Sequence, residues 1–319
     1  MARHIVKLPS VFSTERASSI INLLQTDYKK SFSSTVSEVL FDFSNCDSIS
    51  PVGLIYIQMW RDSLVDKGKK TFYRKSKPKT DSFLKMMNLL PYAHAEEIED
   101  EKIEEKFFYQ IHKCQSTNEC STAHREIVSN VVQRDKIDDE TYCAVDYMIN
   151  ELWDNAGVHG YECYSSESYP SPVYICALEE DSYYEVCIGD RGQGIYNSLQ
   201  KNNPDLRGYN KKNSILAAIR DGISGHPNGS PGFGLYSAAE FIRKGNGTLR
   251  LWSSDCYLII SSKDDRIYNS AIATGTLVSF IIRKDAVLPF EEVLRTHSVC
   301  DYHTQEYIED VIGGLFDEY

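Results

Sequence analysis

No apolar run in this 319-residue chain approaches the roughly 18 residues a membrane-spanning helix requires, so no membrane partner is expected. The start, Met1-Ala2-Arg3-His4, lacks the apolar stretch of a secretory signal. Positive charge is in deficit. Lys and Arg number 34 against 46 Asp and Glu, a formal net charge of −12. An acidic surface repels a phosphate backbone, so nucleic acid is not an expected partner. The basic run at 67–79 reads as a solvated strand-and-turn edge. Nine cysteines occur without C-x-x-C spacing, and Cys114 and Cys120 have no His pair at zinc distance. An odd, scattered set excludes a disulfide framework and fits reduced thiols in the cytoplasm. Internal repeats and low-complexity tracts are also missing.

What is present reads as two units. Hydrophobic residues make up 42% of the chain, enough at this length for two cores. Residues 36–43 form an apolar-rich strand, and 54–60 suits a helix after a polar loop. Residues 69–73 read as another strand. Residues 80–90 read as an amphipathic helix, with Phe83, Leu84, Met87 and Leu90 at three- and four-residue spacing. This alternation implies a small α/β domain over residues 1–95. A charge-dominated run at 95–106 marks the boundary, and 96–134 is read as a connecting segment with a polar loop at 116–122. A second domain over 135–285 opens with a long helix for which Asp138 or Asp139 is the cap. Residues 173–178 and 183–188 form a hairpin, and 248–252, 257–261 and 276–282 add three strands. Residues 286–319 form an acidic tail expected to be helical. The fold class is α+β.

Four segments of the second domain carry chemistry. In Asn150-Glu151-Leu152-Trp153-Asp154-Asn155, Glu151, Asn155 and then His159 share one helical face, beside an apolar stripe that includes Met148, Leu152 and Ala156. A carboxylate can polarise an attacking water, and an amide oxygen suits Mg²⁺. A solvated polar face is the bland alternative for this segment alone. Next, a strand ends in Gly189-Asp190, followed by Arg191-Gly192-Gln193-Gly194. A strand-end Asp can accept a hydrogen bond from an amino group such as that of adenine, and Gly192 and Gly194 allow close backbone approach. Third, Gly229-Ser230-Pro231-Gly232-Phe233-Gly234-Leu235 runs into a helix, the arrangement that presents free N–H groups to an anion. Residues 196–228 between them are polar and suit a lid. Finally, Thr274-Gly275-Thr276 opens an alternating strand.

The order E-x-x-x-N, D-x-G-x-G, G-x-x-G-x-G, G-T resembles the GHKL superfamily, which includes gyrase-type ATPases, histidine kinases and anti-sigma-factor serine kinases. The match covers about residues 135–285, and Asn-Ala-x-x-His-Gly is closest to the anti-sigma kinases. It implies a Bergerat-type sandwich with a mixed sheet and helices on one face, binding ATP with Mg²⁺. It also implies roles. Glu151 would be the general base and Asn155 the Mg²⁺ ligand. Asp190, beside Gly192 and Gly194 and supported by Thr276, would read the adenine amino group. Gly232 and Gly234, with Phe233 and Leu235, would meet the phosphates. No lid cation is assigned; Lys211, Lys212, Arg220 and His226 are all candidates.

The first half resembles a STAS domain through Leu40-Phe41-Asp42-Phe43-Ser44, Ser50-Pro51-Val52-Gly53-Leu54 and Met87-Asn88-Leu89-Leu90. Where that family places a phosphorylatable serine, this chain has Val52. His124-Arg125-Glu126 lacks the helix-pair pattern around a phosphoaccepting histidine and reads as surface. Three functions follow: an ATP-dependent switch hydrolysing slowly while the STAS-like region contacts a protein partner; a serine/threonine kinase acting on a separate protein; or a nucleotide-gated module without turnover. Glu151 disfavours the last. A homodimer is a further partner to test.

Overall fold

The computed structural model describes residues 2–74, 84, 87, 89, 108–132, 137–161, 168–225, 232–271 and 275–296. Within them the fold is α+β. In the first half, β1 (Ala2–Lys7) and β2 (Val11–Phe12) lead to α1 (Ala17–Ser31), β3 (Val36–Asp42), β4 (Ser48–Ile49), α2 (Pro51–Asp66) and β5 (Lys70–Arg74). Strands β1, β3 and β5 form a parallel sheet in that order, and β2 pairs with β4. Parallel neighbours need long crossovers, which α1 and α2 supply. Pro51 stands in the first turn of α2, where its missing N–H leaves no helical bond unmade. Every residue from Pro51 to Trp60 is buried. A helix apolar all round needs cover on two sides.

The second half supplies that cover. It contains β6 (Phe108–Cys114), α3 (Thr117–Ile127), a π-helical turn (Val128–Val132), α4 (Asp139–Tyr161), β7 (Val173–Glu179), β8 (Tyr183–Gly189), α5 (Gly194–Asn202), α6 (Lys211–Ala218), α7 (Gly234–Lys244), β9 (Thr248–Ser253), β10 (Cys256–Ser261), β11 (Asp265–Asn269), β12 (Thr276–Arg283) and α8 (Phe290–Arg295). Seven strands make one sheet in the order β11-β10-β9-β12-β8-β7-β6. All its pairings are antiparallel, which corrects the expectation of a mixed sheet. The helical crossover from β8 to β9 leaves those strands pointing the same way, but β12 is inserted between them and runs opposite to both.

Side chains alternate across this sheet with period two. Val173, Ile175, Val186, Ile188 and Leu251 face a core that includes α4, α7 and α8. Tyr174, Cys176, Cys187, Trp252 and Leu277 face the other way and share a core with α1 and α2. Strands β7 and β8 are therefore buried on both faces. Polar groups lock the second interface. On α2, Asp62 accepts from Tyr174 Oη at 2.9 Å and Gln58 Nε2 at 2.9 Å, and pairs with Lys113 Nζ at 2.7 Å. On β8, Glu185 accepts from Thr14 Oγ1 at 2.5 Å and Ser279 Oγ at 3.2 Å.

Residues 116–122, expected as a polar loop, instead open α3. Ser116 Oγ accepts the Glu119 N–H at 3.3 Å, and the Glu119 carboxylate accepts the Gln115 N–H at 2.7 Å. This S-x-x-E arrangement is a helix start, because it satisfies donors that the first turn leaves free. The segment read as a connector thus contributes β6 and α3 to the second half. Past 286, α8 packs Phe290, Val293 and Leu294 into the core with α4 and α7. The helix expected over 80–90 falls almost entirely outside the described residues.

Candidate functional site

Asp138 caps α4: its Oδ1 accepts the Thr141 N–H at 3.0 Å. The helix then buries Met148, Ile149, Leu152 and Ala156 and turns Glu151 and Asn155 into a cleft. The cleft is closed by the end of β8, by α5, by the turn 223–225 and by the start of α7. Glu151, Asn155, Asp190, Gly194, Gly232, Phe233, Gly234, Leu235 and Thr276 all line it. Gly192 does not, but its N–H donates to Asp190 Oδ1 at 2.7 Å. The side chain of His159 lies outside the described residues.

Asp190 is only 2% exposed. Burial pushes its carboxyl up to about 7, against the Gly192 N–H and the N–H and hydroxyl of Thr276, which favour the charged form. The turn around it is tightly packed. A methyl built on Gly192 would lie 2.0 Å from Gly160 O, so only glycine lets the end of α4 clasp this turn. Gln193 N–H donates to the same carbonyl at 2.9 Å. Glu151 is also pushed up to about 7, by burial first and by the nearby Asp154 second, while a hydrogen bond from Tyr147 opposes both. Its carboxylate rests on the first turn of α7: a methyl on Gly234 would meet Glu151 Oε2 at 2.0 Å. A carboxyl near 7 can exchange a proton with a reacting water at neutral pH.

Among the described residues, every charged side chain lining the cleft is acidic: Glu151, Asp154 and Asp190. Lys211 points elsewhere, pairing with Asp255 at 3.0 Å, and Lys212 and Arg220 do not line the cleft. His226 lies outside the described residues. Positive potential for an anion comes from the N-terminus of α7, whose first N–H groups have no helical partner. No group of three or more His, Cys, Asp or Glu among the described residues could hold a metal alone. An amide oxygen such as that of Asn155 therefore fits Mg²⁺ only where phosphates supply further oxygens.

Four lining or supporting residues escaped the sequence reading. Tyr147 stands one turn before Glu151, a spacing that could have revealed it. Asp154, beside Asn155, was overlooked although it adds to the charge on Glu151. Ser198 Oγ is buried at the cleft with no hydrogen-bond partner among the described residues. Ser253 lies opposite Thr276 across the β9–β12 pair; its hydroxyl is 3.2 Å from Thr276 Oγ1 and accepts the Ile195 N–H at 3.0 Å. Only the strand pairing could have placed it. His124, expected on the surface, is mostly buried beside Asp146 Oδ1 at 2.7 Å and does not line the cleft. No helix among the described residues is long and apolar enough to cross a membrane. No protein-family model matches this chain, and a search of curated proteins finds no match for it.

Proposed function

We propose that this protein binds ATP with Mg²⁺ in a cleft of the GHKL type and acts in the cytoplasm as an ATP-dependent switch that hydrolyses slowly. The observation carrying this reading is the convergence, in one cleft, of a buried strand-end acid, a helix bearing a base and an amide, and a glycine-led helix N-terminus. Asp190, with its proton removed, accepts from the adenine amino group. Thr276 and Gly192 hold that carboxylate in place. The α7 N-terminus and the backbone of Gly232 and Gly234 receive phosphate oxygens. Asn155 would hold Mg²⁺ together with those oxygens; the ion neutralises phosphate charge. Glu151 takes the proton of the attacking water.

The STAS-like first half is read as the part that meets a protein partner. Phosphotransfer within the chain is disfavoured, because Val52, at the acceptor position, is fully buried against the sheet face opposite the cleft. Cys176 Sγ donates to the Pro51 carbonyl there at 3.7 Å. Transfer to a separate protein is the second reading. Incubation of the pure protein with γ-labelled ATP separates the outcomes. Free phosphate supports the switch, label on an added acceptor protein supports a kinase, and tight binding with neither makes it a non-hydrolysing module. Absence of binding would overturn the proposal.

A further inference from the structure

Consecutive residues leaving a strand point to opposite faces of its sheet. At the end of β8 this places Asp190 in the cleft and sends Arg191 the other way, onto α2. Arg191 Nη1 donates to Asp66 Oδ2 at 2.6 Å and to Ser63 Oγ at 3.4 Å, and Nη2 donates to Ser171 Oγ at 2.6 Å. The Arg191 side chain is only 10% exposed, whereas Asp66 is 61% exposed. One residue earlier, Gly189 lies so close to α2 that a methyl there would meet Met59 Sδ at 2.8 Å and Ile55 at 2.9 Å. The turn that carries Asp190 is therefore held from two sides: by the end of α4 through Gly160, and by α2 through Arg191.

We propose that Arg191 is a positioning residue that ties the 190–194 turn to α2, so that docking of the N-terminal region sets the nucleotide affinity of the cleft. The proposal rests on the nucleotide reading above. Its physical basis is simple. Asp190 reads its ligand through one carboxylate whose direction depends on the turn, and a fork of three hydrogen bonds restrains the next residue. A protein that competes for α2 would loosen that turn and weaken binding without entering the cleft. The two sites would then be coupled, and reciprocally: nucleotide would strengthen the docking of α2.

The test compares Asp66→Ala, Arg191→Ala, Arg191→Lys and the double alanine variant with the parent. Calorimetry with Mg-ATP gives affinity, and hydrogen exchange of the peptide over 189–195 gives the mobility of the turn without ligand. Expected is a loss of roughly tenfold in affinity for Arg191→Ala and roughly threefold for Asp66→Ala, within the usual range of coupling between sites. Arg191→Lys should fall between parent and Arg191→Ala. The double variant should be no weaker than Arg191→Ala alone, because both changes break one link. Exchange over 189–195 should quicken in the same order, while that of the β9–β10 hairpin stays at the parental rate. A purely structural ion pair would lower thermal stability and leave affinity and local exchange unchanged. Parental affinity and parental exchange in Arg191→Ala and Asp66→Ala would overturn the proposal. If the parent binds no nucleotide, the functional reading fails and the control of affinity fails with it; the exchange data then still decide whether Arg191 holds the turn.

Discussion

Replacing Asp190 by Asn should improve the fold and damage the function, and the two effects have separate sizes. Asp190 ordinarily would titrate near 3.8, but burial holds it near 7. Between those values the folded protein keeps a proton that the unfolded chain has lost. The native state then binds more protons, so stability falls as pH rises from about 4 to about 7 and is level above that. At 1.36 kcal/mol per pH unit, ionised Asp190 costs at most about 4 kcal/mol at pH 8. Asparagine cannot ionise. It retains an oxygen for the Gly192 N–H, now 2.7 Å from Oδ1, and its amide can donate to Thr276 Oγ1, at the cost of the acceptor for the Thr276 N–H. The variant should therefore be more stable than the parent at pH 8, by up to that amount; the gain should shrink to about 1.6 kcal/mol at pH 5 and vanish below about pH 4. Nucleotide binding should move the opposite way. A carboxylate that accepts from an adenine amino group becomes an amide with one mismatched end, a loss on the order of 1–3 kcal/mol, or roughly 5- to 150-fold in affinity. Parental affinity should also be about tenfold weaker at pH 6 than at pH 8, because a proton must leave first, and this slope should vanish in the variant. Denaturant unfolding and calorimetry at several pH values measure both quantities. A variant less stable than the parent at pH 8 would mean that Asp190 is a structural acceptor. Unchanged affinity would remove it from the binding site.

Glu151→Ala should bind ATP nearly as the parent does but release phosphate about 10²-fold more slowly, the usual scale for a lost general base. Parental turnover should rise with pH through about 7 as Glu151 gives up its proton; a continuous phosphate assay with a flat profile would refute the assignment. Asn155→Ala should weaken affinity in the presence of Mg²⁺ and leave binding in EDTA unchanged, a comparison made by titration calorimetry. Burial also pushes Glu185 up to about 7, so the sign argument made for Asp190 applies, with stability lost from about pH 4.5 to 7. Glu185→Gln keeps an acceptor for Thr14 and Ser279 and should raise stability at pH 8 with little effect at pH 5. A variant that unfolds more readily at pH 8 would show that the charge is compensated.

Much of the cleft was legible because its parts are local patterns. Glu151 and Asn155 stand one helical turn apart, Asp190 ends an apolar strand, and Gly232 and Gly234 precede a helix, so each segment announces its own geometry. Several strands were not legible. β11, Asp265–Asn269, is almost wholly exposed and is held by pairing with β10, so it carries no apolar alternation. In β6 the register shifts between Tyr109 and His112, which blurs the period-two signal. β1 has only Ile5-Val6 as adjacent apolar residues, of which Val6 alone is buried, and it borrows its order from β3. Residues that act across strands were hidden for a different reason. Ser253 meets Thr276 only through the β9–β12 register, and nothing near Arg191 in sequence points to Asp66. The antiparallel sheet was misread as mixed because the place of β12, last among the strands yet central in the sheet, is a tertiary fact.

Helix α2 is finished long before the surface that shelters it exists. Its inner side can settle on β1, β3 and β5 as soon as residue 74 is made, but Ile55 and Met59 await Cys176, Cys187 and Leu277. The last of these lies on the order of 200 residues downstream, which at the usual 5–20 residues per second of synthesis means about 10–40 s of waiting. During that interval the nascent chain displays a sticky apolar helix at the ribosome. Its production in cells should therefore respond to the supply of holdase chaperones far more than its final stability would suggest.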